Sequence, residues 1–202
     1  MKKLYPLLFF LISFSFSQEP VNFEISLFER DGVFYTKGTN KPYSGKAFSL
    51  YDDGKTKNEG ILKEGKMIRK TESKWYENGQ KWSELNYKDG QLDGIFNWWY
   101  DNGQKQFEGT YKNGLKDGLN TSWYENGQMS FESNYTKHLR DGAWTSWFEN
   151  GQKNSEGNYK VGKFDGSETV WHKNGQKYRE SKFEGGKLIS EKQWNEDGSV
   201  KD

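Results

Sequence analysis

Any chemistry this chain performs would have to come from a row of glutamates, two histidines and a row of tryptophans. Glu84, Glu108, Glu132, Glu156 and Glu180 recur every 24 residues, with Glu59 one unit ahead of them. Carboxylates in pairs are the equipment of glycoside hydrolysis, but that reaction sets two unlike carboxyl groups across one cleft. Equivalent copies form a ladder instead, and the expectation is a cross-strand lysine or a turn amide as partner for each. A linear array of cation sites is the alternative. His138 and His172 occupy positions held by Gly or an aromatic in the sister segments, with no third ligand indicated. They read as diverged structural positions rather than as an acid–base or metal pair. The chain has no cysteine, which excludes structural disulfides, thiol catalysis and cysteine metal sites. No Gly-rich loop is followed by Lys-Ser/Thr, so no phosphate cradle is encoded. The reading is of a non-enzyme without cofactor or metal.

The tryptophans are the serious candidates. Trp75, Trp99, Trp123, Trp147, Trp171 and Trp194 stand in register, one repeat apart. Such rings could stack on sugars or anchor a protein interface. They could equally pack neighbouring units together, and repetition favours packing because every unit meets the same burial problem. A row open to solvent would instead mark a ligand surface.

The elements that position these residues follow from turn signals. Asn/Asp-Gly recurs with its glycine at Gly54, Gly79, Gly103, Gly127, Gly151, Gly175 and Gly198, five times in the longer form Asn-Gly-Gln. Each Trp lies four residues before its glycine and each Glu five after it. Tyr87, Tyr111, Tyr135 and Tyr159 lie eight after it, with Leu62 and Phe183 in the outer copies. A second turn follows at Gly65, Gly90, Gly114, Gly162 and Gly186, where His138 is the one replacement, and Asp-Gly closes units at Gly94, Gly118, Gly142 and Gly166. Asn-Gly between alternating aromatics signals a two-residue type I′ hairpin. With Asn102 and Gly103 at such a tip, Trp99 faces Gln106, Trp98 faces Phe107 and Tyr100 faces Lys105. Alternation then puts Tyr100, Trp98, Phe107 and, if no bulge intervenes, Tyr111 on one side and Trp99 and Glu108 on the other. Nothing has helical spacing. An isolated hairpin is marginal in water, so the units must stack, each covering its neighbour's rings. The fold class expected is all-β: an elongated antiparallel sheet or solenoid of hairpins, about 24 residues per repeat, over residues 45–202, with 18–44 as an N-terminal cap.

Composition agrees. Hydrophobic residues are only 32%, yet aromatics reach 17%, which suits a thin structure built on large rings. Thirty Lys+Arg against 29 Asp+Glu leaves no cationic excess for nucleic acid. Residues 1–17 combine Lys2 and Lys3, an apolar run from Leu4 to Phe16 and small residues at Ser15 and Ser17. These are the parts of an export signal cleaved between Ser17 and Gln18, and the run is too short to span a membrane as a helix. The expected location is the periplasm, the outer surface or the medium, with no membrane span left after cleavage.

The unit Trp-Tyr-Glu-Asn-Gly-Gln, then Gly-x-Tyr-Lys-x-Gly-x-x-Asp-Gly, clearest over 99–118 and 147–166, resembles the bacterial variant of the MORN repeat. The resemblance runs over roughly residues 27–198 and extends to chains grouped as YwqK-like antitoxins. It implies elongated sheets of stacked hairpins that act in protein binding, scaffolding or membrane association, with no catalytic residues. Export fits poorly with neutralising an intracellular toxin. The functional expectation is a protein-interaction scaffold at the cell envelope, with an unidentified protein partner. The alternative is a glycan-binding module that takes polysaccharide or peptidoglycan on the Trp row.

Overall fold

The computed structural model describes residues 18–201, so the export segment lies outside the described residues. The fold is nearly all strand, and its principal sheet is a meander in which consecutive strands pair antiparallel from Gly45–Leu50 to Lys187–Gln193. Gln91–Leu92 and Lys163–Phe164 pair back onto the preceding strand before the chain enters the next one.

The two kinds of turn divide the work differently from the sequence expectation. Type I′ geometry, with two consecutive residues at positive φ, belongs to the second turn. Asp89 and Gly90 have φ of 48° and 79°, and Asn113 and Gly114 have 50° and 79°. The flanking residues pair directly, Lys88 with Gln91 and Lys112 with Leu115. This hairpin matches strand twist so well that Lys137–His138 and Val161–Gly162 accept it too, at φ of 48° and 74° and of 50° and 78°. The Asn-Gly-Gln corner is a three-residue connection instead. Tyr100 N–H donates to the Gln104 carbonyl at 2.8 Å, and Gly103 N–H to the Tyr100 carbonyl at 3.0 Å. Asn102 does not enter the left-handed region, because its Oδ1 accepts the Gln104 N–H at 2.9 Å and leaves the positive φ to Gly103 alone.

A bulge follows each such corner. Trp99 pairs with Lys105, not Gln106, and Tyr100 with Gln104, not Lys105; the register then shifts so that Trp98 pairs with Phe107 as expected. The extra residue brings Lys105 onto the side of Glu108.

The sheet is one layer thick. Its two faces are the tryptophan face, with the six periodic indoles, and the tyrosine face, with Phe96, Trp98, Phe107 and Tyr111 in mutual contact. Among the described residues, a dry core exists only at the N-terminal end. There Leu27, Tyr43, Ala47 and Leu62 are buried, with Val21, Phe23, Phe34 and Met67 against them. Residues 18–44 make a short strand Val21–Asn22 parallel to Gly45–Leu50, one helical turn Phe23–Ser26, and a hairpin of Leu27–Arg30 with Val33–Thr36. Phe34 N–H donates to the Gly65 carbonyl and Gly65 N–H to that of Tyr43, tying this segment to the first repeat.

Candidate interaction surfaces

On the tryptophan face the rings are neither open nor fully enclosed: Trp75, Trp99, Trp123, Trp147, Trp171 and Trp194 are all half-buried. The residue that organises them is the lysine two positions after the corner glycine. Lys81 lies 5.3 Å from the Trp75 ring and 5.7 Å from Trp99, bridging two units, while its ammonium meets Glu84 at 2.5 Å. Lys105, Lys153 and Lys177 repeat the contact with the next unit's ring alone, Trp123, Trp171 and Trp194, and pair with Glu108, Glu156 and Glu180. Glu84, Glu108, Glu156 and Glu180 therefore have their lysine on the same strand, three residues earlier, not across the sheet, whereas Glu59 has Thr56 at that position. Only the bulge lets an i, i+3 pair share one face of a strand. Met129 stands at the lysine position beside Glu132, and that unit lacks the pair.

The glutamates are set apart by the sheet itself. Glu108 pairs laterally with Asn97 and Thr121, Glu132 with Thr121 and Thr145, and Glu156 with Thr145 and Thr169. Two strand spacings put successive carboxylates about 10 Å apart in like surroundings. This is a row of ion pairs rather than an acid and a nucleophile facing one cleft. No group of three His, Cys, Asp or Glu among the described residues could hold a metal ion.

The corners join unit to unit. The Tyr76, Tyr100 and Tyr124 hydroxyls donate to the carbonyls of Trp99, Trp123 and Trp147 at 2.8, 2.9 and 2.7 Å. Asn78, Asn102 and Asn126 Nδ2 donate to Asp101, Glu125 and Glu149 carbonyls. Gly79, Gly103, Gly127, Gly151 and Gly175 hold these corners, all with φ between 84° and 91°. His172 takes the tyrosine position, its Nε2 3.2 Å from the Trp194 carbonyl and its ring against Tyr178. His138 sits in a turn, and the two histidines share no site. At the other edge, Asp93, Asp117, Asp141 and Asp165 accept the N–H of the first turn residue one unit ahead.

On the tyrosine face, Tyr87, Tyr111, Tyr135 and Tyr159 are half-buried. Burial, with Glu72 beside it, raises the Tyr87 phenol above its ordinary value; burial and neighbouring Tyr135 do the same for Tyr111. Arg140 lies over the Phe131 and Tyr159 rings and donates to the Tyr135 and Tyr159 hydroxyls at 3.2 and 3.1 Å. Lys116 lies over Phe107 and Tyr135. The exposed indoles are here, Trp98 at 40% and Trp82 at 41%, rather than in the periodic row. Their signal in the sequence is departure from the repeat. Sister units carry Ser122 and Ser146 at the position of Trp98, and Gln106 and Ser130 at that of Trp82. A hollow of about 700 Å³ lies between the first strands, beside Lys46, Glu59, Lys70 and Tyr87, and neither indole lines it.

This hairpin unit, with its Trp, Asn-Gly-Gln corner, Glu and Tyr, is what comparison with known families recognises at residues 70–89, 92–113, 116–137 and 140–160. Those four consecutive units match the MORN repeat variant. MORN repeats are generally modules of protein or membrane interaction, and the repeat is a non-catalytic scaffold. No curated protein matches the chain. Within the matched stretch, the Lys–Glu pairs and the corner hydrogen bonds hold one unit to the next, and the exposed indoles of the tyrosine face do not recur from unit to unit.

Proposed function

We propose that the chain is an exported, non-enzymatic scaffold that holds a protein partner on its sheet at the cell envelope. The observation that carries this reading is a single-layer sheet whose large rings have no second layer to cover them. Trp82 and Trp98 stay 41% and 40% exposed in a chain whose other tryptophans are more sheltered. Exposed aromatics in a contiguous group are where interfaces find their anchors. The segment 1–17, with its basic start, apolar run and small residues before Gln18, supports passage out of the cytoplasm. Absence of an enzymatic role rests on the repeated, equivalent placement of every candidate acid.

Photo-crosslinking in the native host tests this, with the crosslinking residue placed in turn along each face of the full chain. A defined protein captured from tyrosine-face positions and not from the other face is the expected result. Crosslinks to polysaccharide alone, or none to any macromolecule, would sink the scaffold reading. Fractionation of cells expressing Leu8→Arg checks export separately: the variant should stay in the cytoplasm while the parent chain leaves it.

A further inference from the structure

The two faces match their charges to different degrees. On the tryptophan face Lys81, Lys105, Lys153 and Lys177, which lie above indoles, are each matched to a glutamate. Lys55 over Trp75 is matched to Asp53, and Lys192 over Trp194 is the one such lysine without a described carboxylate partner. On the tyrosine face the matching is incomplete. Glu72 is taken by Lys70, and Glu168 by Arg179, which also approaches Glu191. Lys74, Lys116 and Arg140 are left over: no described carboxylate comes within 4.0 Å of any of them. All three lie against rings, Lys74 5.4 Å from Trp82, Lys116 5.8 Å from Phe107 and Arg140 5.1 Å from Phe131. Trp98 stands between Lys74 and Lys116 in this set. It pairs with Ser83 on one side and Phe107 on the other, with Phe96 at 4.8 Å. A chain close to neutral overall thus sets three unmatched, ring-bound cations on the face that also exposes its indoles.

We infer that this patch, centred on Trp98 with Trp82, Lys74, Lys116 and Arg140, docks a segment of a partner protein that carries carboxylates beside an aromatic or aliphatic anchor. The inference rests on the scaffold reading above and names its partner's chemistry. Unmatched cations steer and orient an acidic segment, while the indoles supply the contact that desolvates it. Sister units show that the sheet forms with serine or glutamine at both indole positions, so the two rings are extra to folding.

The test uses the full chain from Gln18 and a phage-displayed library of random 12-residue peptides. Selected peptides should be enriched in Asp or Glu together with Trp, Phe or Leu. Their binding should weaken by about thirtyfold or more in Trp98→Ser, weaken again in Lys74→Glu with Lys116→Glu, and fall as salt rises. Both sets of substitutions should leave the thermal unfolding of the sheet nearly unchanged; if Trp98→Ser unfolds the chain, the charge variants alone decide. Selected peptides without carboxylates, or indifferent to these substitutions, would overturn this surface while leaving the scaffold reading in place. No selected peptide, together with Trp quenching by polygalacturonate, would overturn both in favour of an acidic glycan. No binding of either probe would overturn both outright.

Discussion

The N-terminal end and the repeats keep themselves folded by different means. Around Leu27, Tyr43, Ala47 and Leu62, side chains leave water almost completely, Leu62 to 0% exposure, as in an ordinary small domain. From the second unit on, Phe96 is the one large apolar side chain among the described residues that is counted as buried. What holds those units is spread along the sheet: a lysine on the next unit's ring, a tyrosine on the next unit's carbonyl, an aspartate on the next unit's turn. Interior volume and repeated lateral contact are thus alternative routes to order. A one-layer sheet has only the second available, except where extra chain folds against its end.

That contrast can be broken most sharply at Leu62. Leu62→Ala should cost about 2–5 kcal/mol, seen as a lower urea midpoint for the N-terminal end. Next comes Gly109→Ala. A β-carbon there would meet the Phe107 ring at 2.8 Å and Asn120 Nδ2 at 3.1 Å, so a loss of about 1–3 kcal/mol is expected in thermal unfolding. A smaller effect distinguishes one junction from another. Tyr124→Phe removes a 2.7 Å bond to the Trp147 carbonyl and should cost about 0.5–1.5 kcal/mol. The next junction already lacks that bond because Phe148 has no hydroxyl, and there Asn150 Nδ2 turns to Gln152. Phe148→Tyr should stabilise it, and hydrogen exchange across Gly166–Trp171 should slow. The mildest effect is alkaline. Tyr87 and Tyr111 have raised values in the fold, so the folded chain holds those protons more tightly. Their stabilising contribution is complete below the ordinary tyrosine range near pH 10 and is lost as pH climbs through the raised values. Tyr111→Phe should flatten the alkaline limb of a stability–pH curve.

Much of this was legible in the residues. The corner glycines, the alternation of faces and the pairing of Trp98 with Phe107 all follow from period and parity. Turn type was not, because Asn-Gly suits two geometries; the choice at Asn102 is made by its own side chain accepting the Gln104 N–H. Missing the bulge had two consequences. It shifted the partner of Trp99 by one residue, and it hid the Lys105–Glu108 pair, which no unbulged strand could form. The sequence nevertheless carries Gly-Gln-Lys-x-x-Glu at 79–84, 103–108, 151–156 and 175–180. Periodicity marks the six recurring indoles and is silent on Trp82 and Trp98, whose meaning lies in not repeating.

The meander has a mechanical corollary. Its inter-strand hydrogen bonds run along the ribbon's length, so tension between its two ends loads them one rung at a time, as in opening a zipper, never all together in shear. Such a ribbon yields at low force from the Lys187–Gln193 end inward and resists only on reaching the packed residues around Leu62. A chain anchored at both ends would lengthen in hairpin-sized steps while its first unit stays closed.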